Sequence, residues 1–96
     1  MIGQKVLIRD HRAGVHVGVL HSFDAAMKTA ELHGARKIWY WVGAASCHGI
    51  AARGLDTVQS MIGPTVSAVI SCDVVEIVAM TDQAFACVIE APEWTP

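Results

Sequence analysis

Two patterns divide the chain: short β-branched runs that alternate or stay apolar throughout, and alanine-rich stretches with helical spacing. "KVLIRD" (Lys5–Asp10) and "VHVGVLH" (Val15–His21) flank the turn-like "HRAG" and predict a hairpin, with Val15, Val17 and Val19 on one face. "SFDAA" supplies the next reversal, and "MKTAELH" and "GARKIWYWV" read as third and fourth strands of an antiparallel meander. After Gly43, alanine dominates "AASCHGIAARG", predicting a short helix from about Ala45 to Arg53, with Gly54 placed as a C′ glycine. Gly63-Pro64 breaks any regular element in "LDTVQSMIGPTVSAVIS", which reads as a loop and then a short strand. "DVVEIVAM" is an unbroken strand run. Thr81 can then N-cap a final helix, Asp82 suits its first turn, Ala84, Phe85, Val88 and Ile89 share one face, and Pro92 stops it. The predicted fold class is α+β in a single domain over residues 1–96. It is a small curved antiparallel sheet or an SH3/Sm-like barrel, with one short internal helix and a C-terminal helix. Gly18, in the middle of a valine-rich strand, is the local reason to expect a bend strong enough for closure.

Composition adds an expectation about assembly. Hydrophobic residues make up 53% of the chain and charged residues only 17%, against a usual charged share of about 25%, so apolar surface is left over. That points to a homo-oligomer or an obligate partner. The longest uncharged runs, Ile38–Ala52 and Thr57–Cys72, fall short of the roughly 18–20 apolar residues of a spanning helix and contain polar groups, so no membrane partner is expected. "MIGQKVLIRD" lacks the charged and apolar regions of a secretory signal, which makes the cytoplasm the default. Cys47, Cys72 and Cys87 are odd in number and contain no CxxC pair, arguing against a disulfide framework and a structural zinc site. A net charge of −2 with scattered Lys and Arg provides no stripe for duplex nucleic acid.

The most distinctive chemistry lies in "ARKIWYWVGAASCHG". With Lys37–Val42 as a strand, alternation puts Lys37, Trp39 and Trp41 on one face and Ile38, Tyr40 and Val42 on the other. Two indoles beside a cation suit a stacked nucleobase, with Lys37 or the neighbouring Arg36 meeting a phosphate. The competing reading makes the tryptophans core or interface anchors. Among the five histidines no pair has the i, i+2 or i, i+4 spacing of a chelating face, so neither a metal nor any other cofactor is expected. Cys47 and His48 are adjacent and point apart on a helix, which leaves a nucleophile–base pair only across a subunit boundary. Asp10, Asp24, Asp56 and Asp73 sit where turns need them. Glu76 interrupts an apolar strand, and so faces solvent or pairs with an arginine such as Arg36 or Arg53. No GxSxG, P-loop, HExxH or GxGxxG pattern occurs, and a non-enzyme is expected.

"AGVHVGVL", "ARKIWYWVGAAS", "AARG", "VVEIVAMT" and "PEW" together resemble a family of small proteins of about this length encoded by tailed bacteriophages and prophages. The Arg/Lys-Ile-Trp-Tyr-Trp-x-Gly-Ala core is the most specific part, and "SCHGIAARG" departs from the Ser/Thr-Leu stretch more usual there. The resemblance implies a phage source and action in the infected bacterial host, and it supplies no catalytic residues. The expected function is a non-enzymatic binding protein, a counter-defence factor sequestering a nucleotide-derived host signal. Its ligand-binding residues would be Arg36, Lys37, Trp39, Trp41 and His48. The alternative is a structural or protein-interaction module that binds a host or virion protein.

Overall fold

The computed structural model describes residues 1–96. In chain order the elements are β1 (Lys5–Asp10), β2 (Gly14–Asp24), β3 (Thr29–Tyr40), α1 (Cys47–Arg53), β4 (Met61–Ile62), β5 (Val66–Ser71), β6 (Val74–Ala79) and α2 (Asp82–Ile89). One antiparallel sheet runs β4-β3-β2-β1-β6, and β5 also pairs with β3, along the first part of that strand. The two-residue β4 is an element that the Gly63-Pro64 break hid from sequence reasoning.

The expected third and fourth strands are one strand, β3. Gly34 bends it with φ +57° without ending it, a conformation that side chains other than glycine seldom adopt. Gly18 faces the same bend, and the β2–β3 register slips between Val17 and Val19. A Cβ at Gly18 would lie 3.1–3.2 Å from His33 O, Leu32 Cβ and Ala35 Cβ, so a side chain there would press the two strands apart by a few tenths of an ångström. The sheet therefore curls, as expected, but it does not close. β5 and β6 follow one another across Cys72-Asp73 without forming a ladder, which decides against the barrel.

Curling gives the sheet two apolar faces. Leu7, Val15, Val17 and Ile38 pack under the helices against Ile50, Ala51, Ala84 and Val88. Val6, Ile8, Leu20, Leu32, Ala35 and Val74 fill the hollow on the opposite side. This is why "VLI" in β1 is apolar at three consecutive positions: the strand is covered on both faces. Asp10 fixes the corner. Its carboxylate accepts the N–H groups of Arg12 and Ala13 at 2.8 and 2.9 Å, that of Asp73 at 3.0 Å, and the Ser71 hydroxyl, joining the β1–β2 turn to the β5–β6 turn. Burial alone would raise its pKa, but these hydrogen bonds hold it well below the usual carboxylate range.

Arg36 is only 3% exposed. Its Nε donates to Gly63 O at 2.7 Å, and its Nη1 donates to Val88 O, Ile89 O and Ala91 O at 3.0, 3.2 and 2.5 Å. The guanidinium thus caps the C-terminal carbonyls of α2, where the helix dipole is negative, and binds that end to β3. Arg36→Ala strands these carbonyls in a dry site. A loss of about 3 kcal/mol is expected in urea unfolding, with only partial recovery in Arg36→Lys, whose single ammonium cannot span the same acceptors.

His16 is buried beside Ile8 and Lys37 in the register, and its Nδ1 has no hydrogen-bond partner. Burial, then the positive charge of Lys37, lower its pKa, with Asp10 opposing. The unfolded chain accepts this proton near pH 6.5 and the folded chain resists it, so stability is lost as pH falls below that value. Melting temperature should decline from pH 7 to pH 5, and His16→Leu should flatten that decline.

Candidate functional site

At one end of the sheet a cleft of about 640 Å³ opens between the β1–β2 turn, the first turn of α1 and the start of β6. The side chains that give it chemical character are Arg9, His11, Trp41, Cys47, His48 and Glu76. Each is placed by local structure. Arg9 and Glu76 are direct partners in the β1–β6 ladder. Ser46 caps α1 by accepting Gly49 N–H, which starts the helix where His48 projects toward β6. Trp41 follows the end of β3 and packs against the helix-side core.

Glu76 links two of these groups. Arg9 Nε donates to Glu76 Oε1 at 2.9 Å, and His48 Nε2 lies 2.9 Å from Glu76 Oε2. The His48 hydrogen bond, with Arg9 in support and partial burial opposing, holds the Glu76 carboxyl below its ordinary pKa. Glu76 is therefore paired with an arginine, but with Arg9 rather than Arg36 or Arg53. Cys47 lies beside them, 8% exposed. Burial pushes its thiol pKa up, Arg9 partly opposes this, and Glu76 adds to it, so the group rests as a thiol. No imidazole is hydrogen-bonded to its sulfur.

The five predicted ligand-binding residues are not brought together. Trp41 and His48 share the cleft. Lys37 and Trp39 form a separate pair on the opposite sheet face, where the Lys37 ammonium sits 4.0 Å from the ring centroid of Trp39. Trp39 is 60% exposed, but one face of its indole is already occupied by that cation. The single-face reading of Lys37, Trp39 and Trp41 is corrected because the β3–β4 register shifts between Ile38 and Tyr40 and the strand ends at Tyr40, which breaks the alternation. The placement of Arg36 at a recognition edge is also corrected, since its guanidinium is buried on backbone carbonyls.

Sequence reasoning missed Arg9 and Glu76 as a pair, because their register depends on a contact between the first and the last strand. It also missed that Glu31 and His33 have i, i+2 strand spacing, having compared histidines only with one another. No helix of the chain is long and apolar enough to cross a membrane.

A family model described as a domain of unknown function, DUF6948, matches residues 3–88. The chain belongs to this family. The match takes in every strand and all but the last residue of α2, so the cleft and its approaches lie inside the family domain. Comparison with curated proteins and with solved structures finds no match.

The thiol chemistry of the cleft can be checked directly. Cys72 is exposed and Cys47 buried with a raised pKa, so a maleimide at pH 7 should label Cys72 first and leave Cys47 protected in the folded chain. Peptide mapping that found Cys47 labelled first would show a reactive thiolate in the cleft.

Proposed function

We propose that this protein is a phage-encoded, non-enzymatic binding protein that holds a small planar anion of the nucleotide type beside Trp41. On this reading it acts in the infected bacterial host as a homo-oligomer that sequesters a host signal. One observation carries the proposal: the Trp41 indole shares a cleft of about 640 Å³ with Arg9, His11 and His48. That combination offers an aromatic surface for a base and nitrogen donors for phosphate oxygens. The buried, protonated thiol of Cys47 and the engagement of His48 by Glu76 support holding a ligand over transforming it.

Support for assembly comes from β5. Val66 and Ile70 are exposed on a strand without charged residues that pairs only with β3, leaving an edge open to another chain. The phage source rests on the resemblance carried by "ARKIWYWVGAAS". The second reading, a module for a host or virion protein, is favoured by a different feature. Met1, Ile2, Leu20, Phe23, Val74 and Ile77 line an apolar groove of about 540 Å³ beside β6.

Native mass spectrometry of protein purified from bacterial cells, and again after incubation with linear and cyclic nucleotides, separates these readings. The expected result is a multimer carrying a nucleotide-sized adduct that is lost in Trp41→Ala and kept in Trp39→Ala. An adduct kept in Trp41→Ala would refute the cleft. A bare assembly under all conditions would favour the protein-interaction reading.

A further inference from the structure

Away from the cleft, on the β2–β3 ribbon, three side chains with metal-binding chemistry converge. Leu20 and Leu32 are cross-strand partners pointing into the hollow of the sheet, so His21, Glu31 and His33, each adjacent to one of them, belong to the outer face. His33 Nε2 is 2.6 Å from Glu31 Oε2, and the His21 and His33 rings stack with centroids 4.1 Å apart and planes 15° from parallel. One ligand atom from each residue lies within 4.8 Å of the others.

We infer that His21, Glu31 and His33 form a site for a divalent transition metal of the zinc class. Two imidazoles and a carboxylate are ligands that zinc accepts, at about 2.0–2.2 Å each. Ligand atoms on a shared ion therefore sit roughly 3 Å apart, against the 4.8 Å within which all three lie here, so binding requires the side chains to draw together. The imidazole share of the set disfavours magnesium and calcium, which take oxygen ligands.

The backbone supplies an independent argument. The β2–β3 register slips between Leu20 and Ser22, so that Ser22 rather than His21 is the partner of Glu31. His21 is therefore the extra residue of a β-bulge, a device that re-aims a side chain, and here it directs the ring onto His33. In a regular ladder the ring would sit over Glu31 from across the strand.

Three protein ligands leave at least one position on a tetrahedral ion for water or an exogenous donor. The site lies at the surface, with His21 exposed and Glu31 and His33 half-buried, so an ion enters without local unfolding. An ion bound here replaces the contact between His33 and Glu31 with metal–ligand bonds.

The test is titration of the untagged full chain with Zn²⁺ by calorimetry, and with Co²⁺ followed by its visible absorption. One ion per chain is expected, with affinity at least tenfold weaker in His21→Ala and in His33→Ala, and nearly unchanged in His48→Ala, whose imidazole lies in the separate cleft. Imidazole ¹⁵N shifts in the native chain provide a measurement free of any variant: those of His21 and His33 should move on adding Zn²⁺, and those of His48 should not. Absence of binding, binding undiminished in both ribbon variants, or shifts confined to His11 and His48 would each overturn the assignment.

Discussion

A buried cation hydrogen-bonded to backbone carbonyls rather than to a carboxylate is the constraint around which the molecule is arranged. The guanidinium of Arg36 cannot leave water at acceptable cost unless oxygen acceptors surround it, and the protein supplies backbone carbonyls in place of an acid. Those acceptors are the C-terminal carbonyls of α2 and Gly63 O, so satisfying one side chain of β3 dictates where the last helix ends. The other end of α2 is set by Thr81, whose hydroxyl caps the helix while its N–H and Oγ1 donate to Ala51 O and Ala52 O of α1. Held at both ends, α2 presses Ala84 and Val88 onto the sheet. It also holds α1, whose first turn carries Cys47 and His48 to the rim of the cleft. The geometry of the cleft thus follows from a residue that never reaches it.

The second constraint is the bend at Gly18 and Gly34. Folding the β2–β3 ribbon there gives the sheet a hollow interior as well as a helix-covered exterior, so a chain of 96 residues gains two apolar clusters without a second layer of strands. The helices cover only part of the outer face. Two clusters of accessible polar groups carry chemistry: the cleft beside α1, and the ribbon that carries His21, Glu31 and His33. Because β5 and β6 do not pair, apolar strand edges remain available, with Val66, Ile70 and Val75 exposed on them.

Local signals were dependable guides wherever a local rule decided the outcome. The first hairpin, the Thr81 cap, the α1 stretch ending at Gly54 and the Val74–Ala79 strand follow from turn chemistry, capping and β-branched runs, and all are present. The continuity of β3 was not legible, because Gly34 reads as punctuation and behaves as a bend only when β2 and β5 pair on either side of it. Arg36 is the instructive case. Strand parity alone groups it with Ile38, the inward residue, and so argues for burial. Its position next to Lys37 in the sequence suggested a shared cationic edge that alternation forbids. Arg9, Glu76 and His48 were beyond reach because three elements distant in sequence must assemble before they meet.

The internal pairing within the cleft imposes a condition on any anionic occupant. Arg9 and His48 already share Glu76, whose lowered pKa keeps it ionised at neutral pH, and the ionised Asp10 also lines the cleft, so its one guanidinium carries no surplus of positive charge. An anion that merely approached would meet the carboxylate as well as the guanidinium. Productive binding requires groups that either take donors from Glu76 or engage the Arg9 nitrogens left free by the Nε bond, and a phosphate with several acceptor oxygens meets that requirement better than a single carboxylate. Under the proposal, Trp41 would add attraction that is indifferent to charge, through the planar surface of the ligand. On the proposed reading, affinity would come from stacking and selection from an internally neutralised arginine, which is the logic of a selective pocket rather than of a general anion trap.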